Sequence, residues 1–247
     1  MKERNYGIDL LRMVSMLMVI VLHLLRFGGI YNPESAGLNR GVVSVIDTCC
    51  ICAVNCFAII SGFVGHKSKF RLSNLIHLWF IVTFYLGTLS IVFCFFPGVH
   101  VCFSDIITSF FPVLFNKHWY VTAYFGMFFF IPILNIGISK LTDKQLRIIT
   151  IALLIVFSVM STVANFFSDN SLFELAFGYS PIWLMICYIL GAFLKRCGNT
   201  FFSKHVLRNW FLIYVFGIVL TLGLKLLIDL LSRKLLLNNS GGGIILL

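Results

Sequence analysis

The chain has 247 residues, of which 60% are apolar and only 11% charged, with 27 phenylalanines. A soluble domain is about one-quarter charged, so this composition excludes a protein that covers its whole surface with polar groups. A formal charge of +10 would suit nucleic acid only as a basic face on a soluble fold, and the charges are not arranged that way. The expected fold is all-α, a polytopic transmembrane helical bundle forming one domain over 1–247, with the lipid bilayer as its first partner.

The first apolar run, GIDLLRMVSMLMVIVLHLL (7–25), reads as a membrane-spanning helix over 7–27, yet it contains Asp9, Arg12 and His23. A cleavable signal peptide is the competing reading. The acid and base within the run, and the lack of an A-x-A-like cleavage site, argue against it. Further spans fall near 42–65, 75–96, 119–139, 148–167, 181–194 and 210–231. That makes about seven, at about 20 residues per span. The segment VCFSDIITSFFPVLF (101–115) is too short and interrupted to cross, and reads as interfacial or re-entrant. The closing LLLNNSGGGIILL reads as a turn into another apolar segment, so further C-terminal spans are expected beyond this sequence.

Charge placement sets an orientation. With the N-terminus in the cytoplasm, the inner ends and loops hold Lys2, Arg4, Lys67, Lys69, Arg71, Lys140, Lys144, Arg147, Lys195, Arg196, Lys204 and Arg208, which is 12 of 19 basic residues. The outer loops hold Arg26, Arg40, Lys117, Arg233 and Lys234, while Arg12 and Lys225 fall within spans. This is the positive-inside pattern, which puts the N-terminus of a multi-pass membrane protein in the cytoplasm; the expected location is the plasma (inner) membrane.

Four of the eight cysteines lie in DTCCICAVNCF, where Cys49, Cys52 and Cys56 share a helical face by spacing. Buried cysteine behaves as a small apolar residue, and without paired CxxC motifs outside the spans a metal site is not expected. There is no P-loop, GxSxG or HExxH. No internal repeat of the kind that builds inverted-repeat transporters is visible.

Arg12 and His23 are eleven residues apart, about three helical turns, so they project from one face roughly 16 Å apart along the axis. Asp9 lies three residues before Arg12, within pairing reach. An arginine near the inner headgroups can simply snorkel, and a histidine can bond a carbonyl of a neighbouring span. Ionisable groups in a span otherwise mark function, and spacing alone names no reaction.

The pattern GIDLLRMVSMLMVIVLH resembles the opening of the membrane-bound acyltransferase-3 family, in which the first helix carries Arg, ten residues, then His. Three further segments match in order: CFAIISGFVGHKSKF (56–70), HWYVTAYFGMFFFIPILN (118–135) and IWLMICYILGAFLKR (182–196). They are similar to the family's F-x-x-S-G-F segment ending in basic residues, its W-Y segment closing on P-x-L-N, and a later L-G span preceding basic residues. The third span departs from the family pattern, reading FRLSNLIHLWFIVTFY (70–85) with one arginine and no proline. The family has about ten spans, more than are read here.

The resemblance implies an O-acyltransferase. It would move an acetyl or other acyl group from cytoplasmic acyl-CoA, the donor substrate rather than a bound cofactor, to a hydroxyl of an envelope or extracellular carbohydrate. His23 is then the catalytic residue, as general base or as a transiently acylated nucleophile. Arg12 suits phosphate recognition, and Lys67, Lys69 and Arg71 join it as acyl-CoA-binding candidates, unless they only set topology. Supporting or acceptor-side candidates each have a plainer alternative. Asp9 orients Arg12 or complements the helix dipole; Ser61 and Gly62 serve the site or helix packing. Trp119 and Tyr120 stack acceptor or form an interfacial aromatic belt. Asn135 lines the site or satisfies backbone freed by a proline, and Lys225 and Asp229 neutralise each other at four residues' spacing. A transporter or flippase of envelope intermediates, with Arg12 and His23 as relay groups, and an inactive fragment are the competing readings.

Overall fold

A computed structural model describes residues 5–30, 38–97, 102–167, 173, 175, 178–201 and 206–239. Lys2, Arg4, Lys204 and the closing segment 240–247 lie outside the described residues. All regular elements among the described residues are helical: α1 (Tyr6–Phe27), α2 (Leu38–Cys50), α3 (Ala53–Gly65), α4 (Leu72–Phe93), α5 (Phe103–Phe110), α6 (Trp119–Lys140), α7 (Asp143–Leu154), α8 (Ser161–Phe167), α9 (Pro181–Phe201) and α10 (Val206–Asn239), with a π-helix Ile155–Met160 joining α7 to α8.

Among the described residues, six segments are long and apolar enough to cross a membrane: Tyr6–Phe27, Gly41–Gly65, Leu72–Phe93, Trp119–Lys140, Asp143–Ala164 and Pro181–Gly198. The expected seventh belongs to α10, whose apolar described stretch, Phe211–Leu227, is shorter than a full crossing. Several boundaries move for local reasons. The fifth span begins at Asp143 rather than 148 because Thr142 and Gln145 form a capping box: the Thr142 hydroxyl accepts from the Gln145 N–H, and Gln145 Oε1 accepts from the Thr142 N–H at 2.9 Å. The polar turn DKQLR is thereby helical despite its composition. The 42–65 span is not one unbroken helix, since a turn at Ile51–Cys52 separates α2 from α3. The helix carrying the expected common face of Cys49, Cys52 and Cys56 is therefore interrupted; none of the three is in a disulfide, and Cys52 Sγ donates to the Cys49 carbonyl at 3.7 Å.

Two compact units make up the chain. One comprises the chain up to Cys56 with the chain from Asn199 onward; the other is Phe57–Gly198. In the first, α2 packs against both α1 and α10, and α1 buries Ser15, Leu22 and Leu25. Asn5 caps α1 by accepting from Gly7 and Ile8 N–H at 3.1 and 3.3 Å. Gly28 and Gly29 end it, Gly29 at φ +73°.

In the second unit α3, α6 and α9 form the core, with Ala58, Ala123, Met127, Leu184, Tyr188 and Ala192 buried together. Small residues allow α3 and α9 to cross with their backbones in contact. A Cβ on Gly62 would lie 1.9 Å from the Tyr188 carbonyl oxygen, and one on Gly191 would lie 1.9 Å from that of Ile59. The glycines of S-G-F and L-G thus face each other's helices, which is the packing role for Gly62. The Ser61 hydroxyl donates to the Phe57 carbonyl at 2.9 Å. Segment 101–115 contributes the eight-residue α5, too short to cross, and lies against α4. There Ser109 donates to the Asp105 carbonyl at 2.7 Å, so Ser90, 2.8 Å away, donates to Ser109. Large apolar side chains such as Phe80, Phe84 and Ile133 point outward, as hydrocarbon solvation permits.

Adding a methyl at the α3–α9 crossing forces backbone apart, so Gly62→Ala and Gly191→Ala should each cost about 1–3 kcal/mol or more. Thermal unfolding of the detergent-solubilised chain should show both midpoints lowered. Gly137→Ala, whose Cβ would meet nothing within 4 Å, should leave the midpoint unchanged.

Candidate functional site

The first-helix residues are arranged by helical geometry alone. Eleven residues return Arg12 and His23 to within about 20° of the same direction, on the flank of the stripe through Ser15, Leu22 and Leu25. Arg12 Nη1 lies 3.4 Å from Asp9 Oδ1, with the arginine side chain 47% exposed. A pair this long and open contributes about 0–1 kcal/mol and leaves the guanidinium accessible.

His23 is exposed, and its Nδ1 is 2.8 Å from the carbonyl oxygen of Val19 on the preceding turn. A carbonyl can only accept, so Nδ1 carries the hydrogen. The neutral ring therefore holds its lone pair on Nε2, away from the helix backbone. The Phe27 ring packs 5.6 Å from the imidazole and limits its rotation. A histidine with its tautomer fixed by a local acceptor has one nitrogen prepared to take a proton or attack a carbonyl.

One turn beyond His23, Arg26 donates from Nε and Nη2 to Asp47 Oδ1 at 3.1 and 2.9 Å. Asp47, on α2, is 5% exposed. From α10, Lys225 Nζ lies 3.6 Å from Asp47 Oδ2 and donates to Thr48 Oγ1 at 3.1 Å. The expected partner of Lys225, Asp229, four residues along its own helix, has its side chain outside the described residues; the lysine meets a carboxylate on another helix. Asp47 was not singled out from the sequence, although an acid inside an apolar run signals a partner.

The remaining predicted residues lie in the second unit. Lys67, Lys69 and Arg71 occupy the turn from α3 to α4, all exposed. Beside them His66 is buried, its Nδ1 without a hydrogen-bond partner among the described residues. Burial, with Lys67 and Lys195 adding repulsion, holds its pKa below the ordinary 6.5 despite the nearby carbonyls of Phe63 and Gly62.

Asn135 does not serve the backbone freed by Pro132. Its amide nitrogen donates to the Gly65 carbonyl at 3.3 Å, closing the end of α3, while its Oδ1 accepts from the Tyr188 hydroxyl at 2.8 Å. Three helices are joined by this chain. Arg196 likewise closes α6 by donating to the carbonyls of Ile138 and Leu141 at 2.6 and 2.9 Å, and pairs with Asp143 at the start of α7. Trp119 meets Tyr179 edge to face at 4.4 Å, and Tyr120 continues through Tyr124 to Phe128 along α6.

The depressed His66 pKa has a sign. Below about pH 6.5 the unfolded chain takes up a proton that folded His66 refuses, so folded-state stability should fall as pH drops from about 6.5 and show no such slope above it. Thermal midpoints measured across this range should flatten in His66→Asn relative to the parent chain.

No curated protein and no solved structure matches the chain. The profile of the acyltransferase-3 family, described as an acyltransferase domain, matches residues 5–241. Taken with six helices able to span a membrane, this match shows the chain to be a membrane acyltransferase of the acyltransferase-3 family.

Proposed function

We propose that the chain is an O-acyltransferase that carries an acetyl or related acyl group from cytoplasmic acyl-CoA to a hydroxyl of an envelope carbohydrate, at the plasma membrane and with its N-terminus inside. The observation that carries this reading is the His23 tautomer: with Nδ1–H given to the Val19 carbonyl, the lone pair is on Nε2. In the proposed step Nε2 accepts the proton of the acceptor hydroxyl as its oxygen attacks the thioester carbon. The carbon–sulfur bond breaks, and the departing CoA thiolate takes the proton back from the imidazolium. Direct acylation of His23 would use the same nitrogen, so the position of the reactive atom is common to both routes.

Arg12 is proposed to hold the donor's phosphates, which need a planar, permanently charged fork. Its pairing with Asp9 is weak enough to yield to a phosphate. Lys67, Lys69 and Arg71 are proposed as further phosphate contacts; their exposure and the charge bias of the sequence support this. Ser61 and Gly62 are engaged in back-bonding and helix crossing within the second unit. Trp119 and Tyr120 present an aromatic surface of the kind on which sugar rings stack, at the first turn of α6.

Membranes containing the chain, supplied with acetyl-labelled acetyl-CoA, should transfer label to membrane glycan. His23→Ala should reduce transfer by about 10²-fold or more without changing insertion. Arg12→Ala should raise the KM for acetyl-CoA at least about tenfold, as loss of a charge-assisted pair predicts, with Arg12→Lys between. Undiminished transfer in His23→Ala would refute the reading, as would glycan export that fails without any dependence on acyl-CoA.

A further inference from the structure

We propose that Asp47 is a positioning residue for His23, acting through Arg26. The inference rests on the reading that His23 reacts, and adds a residue on a different helix to that site. Both Arg26 donors converge on one oxygen of Asp47, at 3.1 and 2.9 Å. The other oxygen faces Lys225 of α10 at 3.6 Å. One nearly inaccessible carboxylate thus holds the last turn of α1 against both helices that form this unit with it.

The geometry matters more than the attraction. Replacing a buried ion pair by packed apolar groups is often neutral or stabilising, so a charge cluster is a poor way merely to glue three helices. A planar guanidinium whose Nε and Nη2 share an acceptor, however, has little freedom to rotate. It therefore fixes the turn of α1 on which it sits. Arg26 is three residues after His23, one helical turn away, and α1 ends at Phe27, where Gly28 and Gly29 release the chain. The direction of Nε2 is set by the Val19 carbonyl before it and by the Phe27 ring on the terminal turn after it, and Asp47 holds that terminal turn. Mutating Asp47 to asparagine removes the charged acceptor shared by the two Arg26 donors and the anion beside Lys225.

The test uses the full chain in membranes. With saturating acetyl-labelled acetyl-CoA, Asp47→Asn should lower the transfer rate per inserted molecule by tenfold or more, with the KM for acetyl-CoA unchanged within about twofold. Asp47→Glu should restore part of the rate. Carbethoxylation of His23 by diethyl pyrocarbonate, followed by peptide mass spectrometry, needs no turnover; its rate should change several-fold in Asp47→Asn. If Asp47→Asn fails to insert, Arg26→Lys keeps the charge, loses the fork and should show the same loss in rate with unchanged KM. A rate that falls only with the amount inserted, or carbethoxylation at the parent rate, would overturn the role of Asp47. His23→Ala assayed in parallel separates the two ideas: if it still transfers label, the catalytic reading fails and this proposal with it. If it is inactive while Asp47→Asn behaves as the parent, this proposal alone fails.

Discussion

Hydrocarbon offers no hydrogen bonds, so a polar group carried into a span is costly unless the protein itself supplies its partner. The internal organisation of both units follows from that constraint. In one, a single carboxylate, Asp47, collects an arginine and a lysine from two other helices. In the other, Asn135 passes a hydrogen bond from Tyr188 to the last carbonyl of α3, and Arg196 closes the end of α6. These bonds join helices at defined points, whereas lipid-facing leucines and phenylalanines give no register.

The same constraint shapes His23. An imidazole on an apolar helix has few acceptors to hand, and the carbonyl four residues back is the one that geometry supplies. Accepting that partner settles the tautomer and leaves the more projecting nitrogen with its lone pair. In the proposed reaction, catalytic preparation would follow from satisfying one N–H. Arg12, by contrast, makes an open pair with Asp9 among the described residues, which would suit the proposed exchange of one anion for another.

Much of this was legible in the sequence, because helices in membranes announce themselves by composition. The Arg–His spacing identifies the face on which both residues lie, and of the two roles open to Gly62 the structure shows the packing one, at a crossing with Gly191 that the sequence does not display. What was not legible depended on distant partners. Lys225 is read beside Asp229 because local spacing is all a sequence displays, and its pairing with Asp47, far away in the chain, is invisible to that spacing. Asn135 was read against the neighbouring proline for the same reason, and bonds Gly65 instead. Asp47 had a visible signal, an acid in an apolar run, but the cysteines around it drew attention as a group. The helix boundary at Asp143 was hidden because a capping box made a charged turn helical.

The central claim is that Nε2 of His23 is the reactive atom, and methylated histidines incorporated at position 23 address it most directly. Methylation of Nε2 removes the lone pair and should abolish acyl transfer from acetyl-CoA. Methylation of Nδ1 breaks the bond to Val19 but preserves the Nε2 lone pair, and should leave a measurable fraction of the rate. Activity that survives methylation at Nε2, or that depends instead on an unmodified Nδ1, would contradict the account.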